Sequence, residues 1–264
     1  MKSLNLALIS LGILISVATC DKCRTNKDSV SSLEAPLVSA AGLDSVAASN
    51  DTTAPIKVGQ VTLGQYNQQN HPKARECGCI GNGACTCIVG VFLKELLRDP
   101  ELNLHQDANK IDELVVKGIE FYSTAFPTDA ATNRATFVED VLSKLDLQQD
   151  EATMIDPHEI GFLQTKPLAS EADLRQELEQ YSDSKKLAIV RTGPEGWALI
   201  SQGDATFDIF DPHGRPERNH GNSGAFIQRT DLDMATELIW TASPLKADPA
   251  LDPASWGVYI YWLK

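Results

Sequence analysis

The residues with the clearest chemical potential are an acid and a histidine two positions apart, in the run Phe-Asp-Ile-Phe-Asp-Pro-His-Gly-Arg over residues 207–215. The alternation of apolar and polar residues predicts a β-strand, and side chains at i and i+2 of a strand share one face. Asp211 would then accept the Nδ1–H of His213 and leave Nε2 available as a general base. Such a base requires a nucleophile elsewhere in the chain.

Cys85 is the candidate nucleophile. It follows the flexible turn Gly-Asn-Gly-Ala at 81–84 and opens the segment 85–98, whose apolar spacing predicts a buried helix. At a helix N-terminus, unsatisfied N–H groups and the helix dipole stabilise a thiolate and lower the pKa of the thiol. A backbone N–H there can also help to form an oxyanion hole. The alternative is that Cys85 is simply a small buried residue.

Four of the six cysteines lie close together, and they allow other interpretations. They are Cys77, Cys79, Cys85 and Cys87. The set could bind a soft metal, although the spacing differs from Cys-x-x-Cys knuckles and no histidine adjoins it. Disulfides between the two Cys-x-Cys pairs are a further alternative in an exported protein. The choice between Cys85 and Cys87 as nucleophile also stays open.

The N-terminal residues 1–20 predict an export signal. The stretch Leu6 to Ala18 is almost wholly apolar but short for a membrane span. Val-Ala-Thr-Cys at 17–20 is similar to a bacterial lipobox, with Cys20 as the lipidated residue; cleavage after Ala18 and an uncleaved anchor are the alternatives. Residues 21–55 have the composition of a disordered tether. We therefore expect an exported protein, secreted or attached to a membrane only through a lipid anchor, with a host cell as one place of action.

The bulk composition limits the range of partners. The chain has 264 residues, of which 42% are hydrophobic, so one sizeable core is possible, and we expect a single domain over residues 56–264 and a monomer. The formal net charge is −13, which argues against nucleic acid as a partner. An acidic surface favours basic partners, although a solvated acidic face is the simpler interpretation.

The expected elements are helices first and strands afterwards. Helices are predicted over 107–123 and 131–147, and a capping box at Ser170 predicts a third helix to about Tyr181. Strands are predicted over 187–191, 197–201, 206–210, 225–229 and 258–263, with a helix over 231–241. This order predicts an α+β fold in which a helical N-terminal half packs on an antiparallel sheet.

We predict no catalytic role for the other four histidines or for Trp197. The sequence context predicts polar or exposed loops for His71, His105, His158 and His220. Trp197 is expected in the core or in the wall of a cleft.

These motifs together resemble those of a known family. The shared features are Asp-Pro-His-Gly-Arg at 211–215, Gly-Ala-Phe at 224–226, the amphipathic segment 231–239, and the glycine turn that leads to Cys85. They resemble the herpesvirus large-tegument-protein deubiquitinases and their bacterial relatives, which are papain-like cysteine proteases that cleave ubiquitin. The resemblance spans about residues 64–239, and Ala84 stands where the family usually has glutamine.

The resemblance implies a role for each of four residues. Cys85 would be the nucleophile, His213 the base, Asp211 the orienting acid, and Gln68, in preference to the neighbouring glutamines, the amide that stabilises the oxyanion. It also implies a papain-like fold, no cofactor or metal, and cleavage after the C-terminal glycine of ubiquitin or a ubiquitin-like protein. Two alternatives remain open: an exported cysteine hydrolase acting on other peptides, such as those of the cell wall, and a non-catalytic cysteine-cluster lipoprotein.

Overall fold

A computed structural model describes residues 55–78, 82–145, 162–216 and 221–263, all of which lie in the compact unit Ser49–Lys264. The predicted signal peptide over 1–20 and the predicted tether up to residue 54 lie outside the described residues. So do Cys79, His158 and His220. The predictions about export and lipidation therefore stay predictions.

The described strands form one antiparallel sheet. In spatial order along the sheet they run β1-β6-β5-β4-β3-β7-β2. Their bounds are β1 Val61–Leu63, β2 Phe162–Gln164, β3 Lys185–Thr192, β4 Glu195–Gln202, β5 Thr206–Asp211, β6 Phe226–Asp231 and β7 Val258–Leu263.

The helices occupy the first half of the described chain and the connections between later strands. They are α1 Pro72–Glu76, α2 Cys85–Arg98, α3 Ala108–Ala125, α4 Pro127–Thr132, α5 Val138–Lys144, α6 Glu171–Gln180, α7 Leu232–Ala242, α8 Pro244–Ala247 and α9 Pro253–Trp256. A short 3₁₀ turn, Asn82–Ala84, leads into α2. Within the described ranges, no helix combines the length and apolar character needed to cross a membrane.

The sheet is covered by helices on both faces because its central strands are apolar on both sides. Along β4, Ala198 and Ile200 pack against α2 and its neighbours, whereas Trp197 and Leu199 pack against α6 and α7. Residues that alternate along a strand point to opposite faces, so one strand serves two cores. The predicted α+β fold, with the helical half on an antiparallel sheet, is confirmed; the second helical layer is an addition to it.

Most predicted elements are confirmed, and two expectations are wrong. The predicted helix over 131–147 is interrupted, because Asn133 adopts a left-handed conformation with φ 52° at the end of α4 and α5 begins only at Val138. His105 lies in a loop, but its side chain is buried and bonded to Asp208, so the expectation of a polar loop is wrong for this residue. The Ser170 cap is confirmed by a hydrogen bond from the N–H of Asp173 to its Oγ.

Candidate active site

Cys85 is the first residue of α2 and is completely buried. Ala84 precedes it and provides no side-chain cap, so the N–H groups of the first turn are left for other acceptors. The start of α2 lies directly against β4, where a Cβ on Gly196 would be 3.0 Å from Oγ1 and 3.3 Å from Cα of Thr86. Glycine at 196 therefore permits the close approach that brings β4 to the thiol.

Asp211 ends β5, and His213 follows it in the loop. Nδ1 of His213 lies 2.7 Å from Oδ1 of Asp211, and the same oxygen accepts the backbone N–H of His213 at 2.8 Å. Because a carboxylate can only accept, Nδ1 carries the proton. Nε2 is buried and hydrogen bonds to no oxygen or nitrogen of the described residues. The predicted orientation of the imidazole is thus present, with Nε2 left for the thiol.

Cys85 and His213 are close enough to shift each other's pKa. Burial raises the pKa of the Cys85 thiol, but the hydrogen bond and charge of His213, with the backbone N–H of Gly196, outweigh it and lower the pKa. Burial lowers the pKa of His213, but the charge and hydrogen bond of Asp211, together with Cys85, raise it to about 10. Both shifts favour a thiolate–imidazolium pair at neutral pH.

Arg215 connects the Asp211–His213 pair to the neighbouring strand. Its Nε donates to Oδ2 of Asp211 at 2.8 Å, its Nη2 pairs with Glu195 at the start of β4, and its Cζ lies 5.3 Å from the ring centroid of Trp197. Burial raises the pKa of Asp211, but the charges of His213 and Arg215 outweigh it and lower the pKa to about 2. Asp211 is therefore ionised, with both oxygens engaged.

Gln68 is also completely buried, and neither atom of its side-chain amide has a hydrogen-bond partner among the described residues. Its backbone N–H donates to the carbonyl oxygen of Pro212 at 3.0 Å, which places its loop against the Asp-Pro-His segment. The neighbouring Gln65 and Gln69 are exposed. A buried amide without a partner is costly, and such groups are expected where a ligand or a reacting atom completes the bonding.

Asn67 holds the loop that carries Gln68. Its Oδ1 accepts the backbone N–H groups of Gln69 and Asn70 at 2.7 and 2.9 Å, and its Nδ2 donates to the carbonyl oxygen of Ser223 at 2.5 Å. Gly214 approaches the same carbonyl with φ +70°, and a Cβ there would lie 2.0 Å from that oxygen. The three loops beside the site are therefore packed too closely for a side chain at position 214.

The turn between β3 and β4 covers the thiol. The carbonyl oxygen of Pro194 lies 3.7 Å from Sγ of Cys85. On the other side of the turn, Nε of Arg191 donates to the carbonyl oxygen of Gly193 at 2.9 Å. Cys85 has no exposed surface, and this turn is one of the segments that cover its sulfur.

The other described cysteines are in different environments. Sγ of Cys87 lies 3.6 Å from Oγ1 of Thr136, and burial raises the pKa of Cys87 to about 12. Cys77 is disulfide-bonded, whereas Cys85 and Cys87 are not. A disulfide between the two Cys-x-Cys pairs is therefore not formed. Among the described residues, no cluster of three or more histidine, cysteine or acidic side chains is arranged to hold a metal.

Comparisons with known proteins add little to this geometry. No protein-family model matches the chain, and no curated protein matches it. Among solved structures, the ubiquitin-specific protease encoded by murine cytomegalovirus tegument protein M48, in complex with a ubiquitin-based suicide substrate, is 13% identical with a TM-score of 0.42, over 77% of this chain and 84% of that one. The Pseudomonas avirulence protein AvrPphB is 16% identical with a TM-score of 0.39, over 69% and 92%.

The structure brings Cys85, His213 and Asp211 together and places the Gln68 loop beside them. Sequence reasoning assigned no role to Arg215, although it lies four residues after Asp211 in the same motif. The motif alone did not show its second partner, because Glu195 comes from a different strand.

Proposed function

We propose that this protein is a papain-like cysteine peptidase in which Cys85 is the nucleophile, His213 the general base and acid, and Asp211 the group that orients His213. The main support is one coupled arrangement. A buried thiol at a helix N-terminus has its pKa lowered by an imidazole, and an ionised carboxylate 2.7 Å from Nδ1 holds that imidazole in place.

In the proposed acylation step, the Cys85 thiolate attacks the carbonyl carbon of a peptide or isopeptide bond. The S–C bond forms, and the carbonyl oxygen becomes an oxyanion that accepts hydrogen bonds from the Gln68 amide and the backbone N–H of Cys85. Nε2 of His213 gives its proton to the leaving amine as the C–N bond breaks.

Deacylation reverses these roles. His213, now neutral, takes a proton from water, and the hydroxide attacks the thioester carbonyl. The S–C bond then breaks, the acid product leaves, and the thiolate–imidazolium pair is restored. Asp211 stays ionised throughout, since its pKa of about 2 lies far below neutral pH.

The finer proposal is that the substrate is ubiquitin or a ubiquitin-like protein, cleaved after its C-terminal glycine. The Asp-Pro-His-Gly-Arg resemblance supports this. The net charge of −13 suits the basic residues of the ubiquitin tail. The predicted export signal fits action on a host protein outside the producing cell.

The test is covalent labelling of the full chain by ubiquitin that carries a C-terminal electrophile. We expect one adduct, which is lost in Cys85→Ala and retained in Cys87→Ala, because the Cys87 thiol is protonated and held by Thr136. Labelling that survives in Cys85→Ala and disappears in Cys87→Ala would show that the nucleophile is wrongly assigned.

The same preparation should be assayed against ubiquitin-like probes, di-ubiquitin and cell-wall muropeptides. Cleavage of muropeptides without any probe labelling, still dependent on Cys85, would leave the peptidase proposal standing and overturn the ubiquitin proposal. If Cys85→Ala changes neither labelling nor cleavage of any substrate in the panel, the peptidase proposal itself is wrong.

A further inference from the structure

The loop that carries Gln68 is held by hydrogen bonds along its whole backbone. Every backbone N–H from Gly64 to His71 donates to an acceptor. The acceptors are the carbonyl oxygens of Asn67, Pro212 and Ala225 and the side chains of Asn67, Asn70 and Asp112. The side-chain amide of Gln68, by contrast, is completely buried and has no partner among the described residues. The backbone is thus fixed around one unsatisfied amide, which is the arrangement expected of a preorganised donor.

Asp112 accepts two of these hydrogen bonds and belongs to α3, in the helical half of the domain. Its Oδ2 accepts the backbone N–H of Gln65 at 3.1 Å, and its Oδ1 accepts the backbone N–H of Tyr66 at 3.0 Å. Hydrogen bonds to an ionised carboxylate are stronger than those between neutral groups. One side chain therefore holds two successive N–H groups immediately before the segment that carries Gln68.

The loop lies directly on α3 at this point. A Cβ at position 64 would be 2.7 Å from Oδ1 of Asp112 and 2.8 Å from Cγ2 of Ile111. Any residue other than glycine would push the loop away from the helix. Gly64 therefore allows the close contact in which the carboxylate reaches both N–H groups.

Helix α3 also fixes the helix that carries the nucleophile. A Cβ on Gly118 of α3 would be 2.4 Å from Cα of Ile88, so α2 and α3 are in close backbone contact there. Ile88 lies about one helical turn after Cys85. Gly118 lies six residues after Asp112, which is about 9 Å along the axis of α3. A single helix therefore supports the Gln68 loop and the Cys85 helix at two nearby points.

This support matters because the proposed oxyanion receives hydrogen bonds from two separate segments, the backbone N–H of Cys85 and the amide of Gln68. Such donors are effective when they are held about 2.7–3.1 Å from the position of the oxyanion, and a misplacement of about 1 Å can slow a reaction by about 100-fold. The bonds to Pro212 and Ala225 fix the loop relative to the sheet. Asp112 fixes it relative to α3, and through α3 relative to Cys85.

We propose that Asp112 is a positioning residue for the oxyanion site: its carboxylate holds the Gln68 loop on α3, at the separation from Cys85 that the Gln68 amide requires. Its effect is transmitted through the N–H groups of Gln65 and Tyr66. The inference rests on the proposed peptidase function and adds to it a residue that lies outside the sequence motifs.

The test is a double-mutant cycle on kcat with the full chain. The substrate is ubiquitin that carries a C-terminal fluorogenic amide, or muropeptides if the panel above shows that only those are cleaved. Asp112→Ala should lower kcat by about ten-fold with KM little changed, since the bonds of the loop to the sheet remain. In the Gln68→Ala background the same substitution should change kcat by less than about two-fold, because there is no amide left to misplace. Losses that multiply, or an unchanged kcat in Asp112→Ala, would reject the proposal.

Alkylation of Cys85 by iodoacetamide separates positioning from general damage to the site. This displacement at a saturated carbon forms no oxyanion, so it needs the thiolate–imidazolium pair but not Gln68. The alkylation rate of Asp112→Ala at pH 6 should stay within about two-fold of the wild-type rate. A rate that falls as far as kcat would show that the substitution disturbs the thiolate–imidazolium pair, and would overturn the positioning role.

Two further variants control for charge. Glu113→Ala removes the next acid of α3, which is exposed and pairs with Lys110 at 3.0 Å, and it should leave kcat unchanged. Asp112→Asn keeps one acceptor oxygen for the two N–H groups, so its kcat should lie between those of wild type and Asp112→Ala. A loss in Glu113→Ala as large as that in Asp112→Ala, or equal losses in Asp112→Asn and Asp112→Ala, would indicate an effect of charge and reject the proposal.

Failure of this inference and failure of the proposed function give different results. A wild-type chain without any Cys85-dependent hydrolysis refutes the peptidase function, and this inference with it. An active wild-type enzyme in which Asp112 and Gln68 contribute independently to kcat refutes this inference alone.

Discussion

Replacement of Arg215 by glutamine tests whether this side chain acts through Asp211. The change removes the charge that engages Oδ2 of Asp211 and leaves that buried oxygen without its partner. Removing one member of a buried ion pair typically costs about 3–5 kcal/mol. Because the Arg215 side chain is 17% exposed and Asp211 keeps His213, we expect a loss of about 2–3 kcal/mol in the free energy of unfolding at pH 7.

The pH dependence gives this prediction its sign. The pKa of Asp211 is depressed from 3.8 to about 2, so its contribution to stability is complete above pH 3.8 and is lost as the pH falls through about 2. In Arg215→Gln the pKa of Asp211 moves back toward 3.8. The stability difference between wild type and variant should therefore shrink between pH 4 and pH 2. Urea unfolding at a series of pH values would measure it.

Glu195→Gln is the matched control. It removes the other partner of Arg215 but leaves the contact with Asp211, and the Glu195 side chain is 26% exposed, so we expect a loss of no more than about 1 kcal/mol. If the two variants lose the same stability, or if the loss in Arg215→Gln is constant down to pH 2, Arg215 does not act through the buried carboxylate and the reasoning fails.

Three further predictions concern the site and its loops. His213→Asn should raise the pKa of Cys85, because burial then dominates, and slow alkylation of Cys85 at pH 6 by about ten-fold or more. Gln68→Ala should lower kcat by about 100-fold to 1,000-fold with KM little changed, whereas Gln65→Ala should have no effect. Gly214→Ala should lower the melting temperature by several degrees, since its Cβ would lie 2.0 Å from a carbonyl oxygen at φ +70°.

Each of these three predictions would be contradicted by a specific result. Unchanged alkylation at pH 6 in His213→Asn would mean that the helix N-terminus alone activates the thiol. A Gln68→Ala effect confined to KM would make the amide a substrate contact. Gly221→Ala shares a positive φ but has open space around its Cβ, so a melting temperature lowered as far as in Gly214→Ala would point to backbone strain alone.

Local patterns were sufficient for the strands β3 to β7 and for the Asp211–His213 pair, but not for the three-residue strands β1 and β2. The pattern of apolar residues along these strands is visible in the sequence itself. Asp211 ends a strand and His213 follows two positions later, so their contact can be predicted from this short segment alone. The interruption of the helix at Asn133 does have a local cause, since asparagine commonly ends helices in the left-handed conformation that Asn133 adopts.

What sequence could not provide are contacts between distant segments. His105 and Asp208 are 103 positions apart. Nothing in the sequence around His105 indicates that its side chain will be buried and will bind a carboxylate on β5. The second partner of Arg215 depends likewise on β4 pairing beside β5. Such pairs are specified by the sheet register as a whole, which short motifs do not encode.

The turn between β3 and β4, together with the first residues of β4, contacts both the Cys85 thiol and the loop that carries His213 and Arg215. Pro194 covers the sulfur, the next residue pairs with Arg215, and Gly196 contacts Cys85. Glu195 is held by the ion pair and Trp197 is packed in the core, whereas Gly193, with φ +57°, and Pro194 have neither of these anchors. If the protein is a peptidase as proposed, we expect substrate entry to move the Gly193–Pro194 segment and to leave the contact between Arg215 and Asp211 intact.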